Sequence, residues 1–251
     1  MPVSFDALIA DADSVDVSGW DFSWLTGRAT EQRPPWGYQR LLTQRLATAK
    51  SALDIQTGGG EVLDGVPTLP PTMAATESWP PNYAKATARL HPRGVVVVAT
   101  PDERALPFAD AAFDLVSSRH PNCTWWDEIA RVLAPGGRYL AQHIGARTNA
   151  ELYEWFLGPH DDFYGPRHHD LEKAAATAAG FEIVEFKTAR LRVEFFDIGA
   201  VVYFLRKVIW CVPDFSVERY RERLHALHER IVADGVFVSY STRTLFEAVR
   251  A

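Results

Sequence analysis

The stretch 51–61, SALDIQTGGGE, constrains this chain more than any other. A short apolar run (Ala52, Leu53, Ile55), interrupted by the acid Asp54, passes into Thr57-Gly58-Gly59-Gly60 and opens a helix at Glu61. A buried strand, a glycine turn and a helix start in that order form the first turn of a doubly wound α/β domain. The glycines permit tight backbone geometry and close approach of a ligand. The helix start adds unpaired N–H groups and a partial positive charge. These features predict a ligand site at the carboxyl end of a central strand.

The residues that follow continue the alternation. A short helix is expected over 61–69, stopped by Pro67 and Pro70-Pro71, then a strand over 72–76 closed by Glu77. A helix over 81–90 begins behind Pro80-Pro81. The valine run 94–99 reads as the most clearly buried strand of the chain. A strand over 113–117, a helix over 125–133 and a strand over 137–144 complete right-handed βαβ units and a parallel sheet. Further on, 149–157 and 170–179 read as helices and 181–189 as a strand. Val217, Tyr220, Leu224, Leu227 and Ile231 form the apolar stripe of an amphipathic helix, and 236–249 can supply a last strand. Ahead of the core, 38–50 has helical spacing.

The 251 residues suffice for one large α/β domain, or one domain with a sizeable insertion, without staples. A net charge of −6 argues against a nucleic-acid partner. Cys123 and Cys211 are far apart and suggest neither a disulfide framework nor a zinc site. The start lacks the basic and apolar pattern of a signal peptide, and the longest uncharged apolar run, 198–205, is too short to span a bilayer. A cytoplasmic location with no membrane partner is expected.

Five segments together resemble the class I S-adenosylmethionine-dependent methyltransferases, in particular the small type 11 group. LDIQTGGGE at 53–61 is similar to the family's first motif, acid-x-Gly-x-Gly-x-Gly, with Gln56 standing where the first glycine is expected. Glu77 stands where the family carries an acid at the end of the second strand. DERALPF at 102–108, FDLV at 113–116 and EIARVLAPGG at 128–137 are similar to three further motifs, in order. The implied fold is α/β: a Rossmann-like doubly wound sheet of about seven strands, mostly parallel with an antiparallel last strand. A helical N-terminal segment and an insertion before the last strand would be added to it. The expected division is 1–50 as an N-terminal lid or helical segment, 51–194 as the core, 195–234 as a helical insertion and 235–251 as the last strand.

The resemblance implies S-adenosyl-L-methionine as cofactor and methyl transfer to a small organic acceptor at oxygen or nitrogen. Asp54, Gln56, Thr57, Gly58 and Gly60 would meet its methionine end, with Asp54 either orienting the turn or accepting from the ammonium. Glu77 would take the ribose hydroxyls, unless it serves as a charge at the start of the next helix. Asp102 and Glu103 would meet the adenine. Ser118, Arg119 and His120 follow the fourth strand and should line the cleft floor. His120 and His143, both expected at the cleft edge, are the candidate general bases, with merely structural histidines as the alternative. Trp20, Phe22, Trp36, Tyr38 and Tyr203 would face an acceptor, or else form core or the surface of a homodimer. His168-His169 reads as a solvated helix start rather than a metal site, and no metal is expected. A dehydrogenase turn needs Gly-x-Gly-x-x-Gly and a P-loop needs Gly-Lys-Ser/Thr, and neither is present. Two alternatives stay open: an RNA or other macromolecular acceptor, and a non-catalytic cofactor-binding or interaction protein, which Gln56 permits.

Overall fold

Strand β2 (Ser51–Ile55) is covered on both faces, and that decides its place at the centre of a sheet. The architecture is that of a computed structural model in which residues 3–101, 104–159 and 167–251 are described. The chain divides into two compact units. The larger comprises Pro34–Gly145, Arg167–Ala189 and Arg243–Ala251; the smaller comprises Met1–Arg33, Ala146–Pro166 and Arg190–Thr242.

The larger unit is α/β. In chain order it contains α2 (Tyr38–Leu46), β2, α3 (Glu61–Asp64), β3 (Thr72–Glu77), α4 (Pro80–Leu90), β4 (Val96–Ala99), β5 (Phe113–Arg119), α5 (Trp126–Val132), β6 (Leu133–Ile144) and α7 (His169–Ala178). It also holds the first part of β7 (Phe181–Phe195) and the last part of β8 (Phe237–Arg250). Its strands are hydrogen-bonded in the order β7-β8-β6-β5-β2-β3-β4. The pairs β3–β4, β2–β3, β2–β5 and β5–β6 are parallel, while β6–β8 is antiparallel, so the mixed sheet with an antiparallel last strand is as expected. From β2 the chain proceeds outward through β3 to β4, then returns to the other side of β2 for β5 and β6. The order therefore reverses between β2 and β5, and doubly wound sheets hold their ligands at the carboxyl ends of such strands.

Side-chain alternation along the strands builds two apolar layers. Leu53, Ile55, Val116, Tyr139 and Phe246 pack with Trp126, Ile129 and Phe181 in one. Ala52, Ala75, Leu140 and Leu245 pack with Trp36, Leu42, Leu46, Leu63 and Leu90 in the other.

Two expectations for this unit are corrected. The valine strand is β4, confined to Val96–Ala99; it lies at the sheet edge, and Val96 is 60% exposed. Repeated valines favour the extended backbone whether a second neighbour covers it or not. The helix expected over 61–69 is a single turn, Glu61–Asp64. Carbonyls at its end and just beyond are taken from outside: the Arg93 guanidinium donates to Leu63 O (2.8 Å), Asp64 O (2.7 Å) and Val66 O.

The smaller unit is mainly helical: α1 (Phe5–Ser14), α6 (Ala150–Leu157), α8 (Ile198–Lys207) and α9 (Arg221–Asp234) share a core that includes Ile9, Tyr153, Phe156, Val202, Leu224 and Leu227. A short strand, β1 (Ala29–Glu31), which the sequence did not suggest, pairs antiparallel with Val193, Glu194 and Phe195 at the end of β7. Asp197 caps α8 by accepting from Ala200 N at 2.9 Å, and Arg28 holds the same carboxylate with two bonds of 2.8 Å. Among the described residues no helix is long and apolar enough to cross a membrane.

Candidate functional site

The turn after β2 is held by the neighbouring strand. Thr57 N–H donates to Thr76 O at 2.9 Å and Gln56 N–H to Thr76 Oγ1 at 3.2 Å. At the end of β3 the Glu77 carboxylate accepts three backbone N–H groups: Gly58 (2.8 Å), Ser78 (2.9 Å) and Trp79 (2.8 Å). One acid thus fixes both the glycine turn and the entry to α4. Gly58 has φ +63°, and a Cβ built on it meets nothing within 4 Å, so this part of the turn faces open space. Gly60 has φ +79°, and a Cβ there would lie 2.8 Å from Leu90 Cδ1 and 3.4 Å from Ala86 Cα. The first glycine suits a ligand; the second lets α4 pack close.

Asp54 is buried beneath the turn and accepts from Ser117 Oγ at 2.5 Å. Burial pushes its carboxyl up to about 6, against the opposing pull of its hydrogen bonds with Ser117 and Thr57. Asp54 therefore braces β2 against β5.

Gln56 adopts φ +56°, the left-handed region that its glycine counterpart would enter without strain. Its carboxamide turns toward the loop after β5: Oε1 accepts Asn122 N–H, and Nε2 donates to Cys123 O at 2.9 Å. Asp102 and Glu103 lie outside the described residues. The neighbouring Leu106–Phe108 segment is clamped by α5. Glu128 accepts Leu106 N–H at 2.8 Å, and Arg131 donates to Leu106 O (2.9 Å) and Phe108 O (2.8 Å). The Arg131 pair holds the Glu128 carboxyl below its usual range.

Beyond β5, Ser118 is buried, Arg119 is exposed and His120 is half-buried with φ +57°. Gln142 on β6 links His120 to Trp36. Its Oε1 accepts the indole N–H at 2.9 Å, and its Nε2 lies 2.9 Å from His120 Nε2. An indole nitrogen only donates, which fixes the orientation of the amide and makes His120 Nε2 the acceptor. Burial, reinforced by Arg243 and Arg119, holds this imidazole well below its ordinary pKa, so it is neutral at pH 7. Tyr38 is buried and donates to Ser118 O at 3.0 Å. Trp36 and Tyr38 are thus buried in the apolar layer around Leu42, Leu46 and Leu140.

His143, expected at the cleft edge, is instead enclosed in the core at 1% exposure. Its Nδ1 lies 2.7 Å from Glu172 on α7, its Nε2 lies 3.1 Å from the Tyr139 hydroxyl, and its ring stacks on Phe246. The side chain points along the helix-facing side of β6, a direction that strand position alone does not reveal. In the smaller unit, Trp20 stacks on Phe22 at 6.1 Å and meets Trp210, and Tyr203 is buried with its hydroxyl donating to Asp21 O at 2.8 Å. His168, His169 and Asp170 bring donor atoms within 4.8 Å of one another at the exposed start of α7.

Residues 53–141, which contain this turn, the acid that ends β3, the clamped Leu-Pro-Phe segment and β5, match the family model described as a methyltransferase domain. This stretch is thus similar to the methyltransferase domain family, and the sheet that holds it has a Rossmann-like α/β fold. No curated protein matches the chain by sequence. Among solved structures, a Bacillus halodurans protein with a provisional methyltransferase assignment is similar at 19% identity and TM-score 0.58, covering 84% of this chain and 98% of its own. A Deinococcus radiodurans protein of unknown function gives 15% identity and TM-score 0.57, covering 89% and 91%. Geranyl diphosphate C-methyltransferase from Streptomyces coelicolor, in complex with Mg2+, geranyl diphosphate and S-adenosyl-L-homocysteine, gives 12% identity and TM-score 0.54, covering 85% and 78%. At these identities the likeness is one of fold.

Within the matched stretch the acids thus have distinct tasks: Glu77 shapes the turn, Asp54 braces it, and Asp114 holds the start of β2 by accepting Lys50 N–H (2.9 Å) and Ser51 N–H (3.1 Å). The Asp114, Glu128, Arg131 and Gln142 contacts were not among the expected site residues. Asp114, Glu128 and Arg131 fall in stretches recognised only as motifs, and Gln142 carried no signal.

Proposed function

We propose that this chain is an S-adenosylmethionine-dependent methyltransferase that acts on a small organic acceptor at oxygen or nitrogen. The observation that carries the reading is the open Gly58 turn tied to the Glu77 carboxylate, at the carboxyl ends of β2 and β3 and inside the matched methyltransferase domain. In this reading the turn residues Gln56, Thr57, Gly58 and Gly60 approach the methionine end of the cofactor. Glu77, oriented by three backbone donors, accepts from the ribose diol. Asp102 and Glu103 meet the adenine. Asp54 acts through the turn it braces. With α3 only one turn long, the backbone N–H groups of the turn, rather than a helix dipole, receive the cofactor carboxylate.

The bound cofactor supplies a methyl group already activated by a sulfonium. The chain's part is to place the nucleophile in line, exclude water and, for a hydroxyl acceptor, take a proton. His120 is the residue proposed for that proton: it is neutral, half-buried and at the end of β5. A proton accepted at Nε2 displaces the Gln142 contact, so Gln142 sets the tautomer from which the reaction starts. His143, enclosed by Tyr139, Glu172 and Phe246, supports the core. The net charge of −6 favours a small acceptor over a nucleic acid. Calorimetric titration with S-adenosylmethionine, followed by methyl transfer from labelled cofactor to a panel of small alcohols, phenols and amines, tests the reading. Cofactor binding with no transfer to any acceptor class would sink the catalytic part.

A further inference from the structure

We infer that Gln56 is a positioning residue that couples the cofactor turn to the loop after β5, an inference that rests on the methyltransferase reading of the turn. Gln56 directly follows β2, and the loop it grips follows β5, the strand on the other side of the topological reversal. The grip is two-handed: the carboxamide oxygen accepts Asn122 N–H and the carboxamide nitrogen donates to Cys123 O. This is the pattern by which one peptide group pairs with another strand, supplied here by a side chain. From other elements, Arg167 donates to Pro121 O (3.0 Å) and Asn122 O (2.7 Å), and His120 N–H donates to Gln142 O (2.7 Å). Residues 120–123 are thereby pinned along their backbone, and Gln56 is the pin that belongs to the cofactor turn.

A glycine at this position keeps the positive φ without strain but has no side chain to reach the loop. Gln56 therefore gives up ease of backbone for a mechanical link. Its backbone N–H is already fixed on Thr76 Oγ1, so a ligand that orders the turn also restrains the carboxamide and, through it, the loop that carries His120. Occupation of the cofactor site is thus felt at the acceptor side before the acceptor arrives.

The chain supplies its own reporter. Cys123 is exposed and its carbonyl is one of the gripped atoms, whereas Cys211 is buried. The rate of Cys123 alkylation by iodoacetamide is measured in the full chain and in Gln56→Ala and Gln56→Gly, with and without saturating S-adenosyl-L-homocysteine. Without ligand, both variants should react roughly tenfold faster, the change expected when two hydrogen bonds holding a loop are lost. In the unchanged chain the ligand should slow the reaction, and in both variants that protection should disappear. Equal unliganded rates in all three proteins would overturn the clamp. Equal protection in all three, or none in the unchanged chain despite calorimetric binding, would overturn the coupling. If calorimetry finds no ligand binding to the unchanged chain, the cofactor reading fails and coupling with it, while the unliganded rates still decide the clamp.

Discussion

Glu77 Oε2 accepts Gly58 N–H at 2.8 Å, so the acid that ends β3 also shapes the turn that ends β2. The two strands are parallel neighbours, with Leu53 opposite Ala74 and Asp54 opposite Ala75, and the bond joins them just beyond their last paired residues. The same carboxylate holds Ser78 and Trp79 through its other oxygen. The acid proposed to meet a ribose is therefore also the keystone of the loop geometry around it.

Glu77→Ala should lose both tasks. Loss of charge-assisted hydrogen bonds predicts cofactor binding weaker by about 1–3 kcal/mol. Glu77→Gln keeps one acceptor oxygen and should fall between. Calorimetric affinities for S-adenosyl-L-homocysteine across the three proteins check this, with circular dichroism to show that each is folded.

The two glycines of the turn should respond differently to alanine. At Gly60 a methyl group meets Leu90 at 2.8 Å and the backbone of Ala86 at 3.4 Å, on top of a left-handed φ. Strain and overpacking together predict a loss of about 2–4 kcal/mol in urea unfolding. At Gly58 only the backbone strain applies, about 1–2 kcal/mol, because the space is open. The larger effect of Gly58→Ala should appear instead in cofactor affinity.

Asp54 gives stability a pH dependence opposite to the usual carboxylate. Its folded pKa is raised from 3.8 to about 6 by burial. Between these values the folded state holds the proton that the unfolded state has released. The contribution is therefore complete below pH 4 and is lost as pH rises through 6, by about 3 kcal/mol. Asp54→Asn, which cannot ionise and can still accept from Ser117, should flatten the unfolding free energy over this range. Urea midpoints from pH 4 to pH 7 in both proteins provide the test.

The turn, the acid that ends β3 and the order of strands were legible because each is written in adjacent residues: glycines where φ turns positive, an acid at a strand end, prolines at a helix start. Asp114, Glu128 and Arg131 show why the later motifs are readable too, since each secures backbone groups of a nearby loop or strand start. Non-local features were not legible. Whether the valines of β4 have one neighbour or two depends on sheet order, and the carbonyls that the one-turn α3 leaves open are taken by Arg93, distant in sequence. The short β1 exists only by pairing with the end of β7. Gln56 looked like a departure from pattern because its partners, Asn122 and Cys123, lie across the strand reversal.

The buried pair His143–Glu172 should act on stability. His143→Ala removes the partner of a buried carboxylate and a ring stacked on Phe246, which predicts a loss of about 3–5 kcal/mol in unfolding free energy. His143→Gln, able to donate to Glu172, should recover part of it. Chemical unfolding of the two variants measures the effect, and a stability equal to that of the unchanged protein would show that the pair is not structural.

The central claim is that the Gly58 turn and Glu77 receive S-adenosylmethionine. Calorimetric titration of the unchanged chain with S-adenosylmethionine and S-adenosyl-L-homocysteine, alongside Glu77→Ala, tests it most directly. The expected result is saturable binding of both in about the micromolar range, clearly weakened in the variant. No binding of either ligand, or equal binding to the folded Glu77→Ala protein, would contradict it.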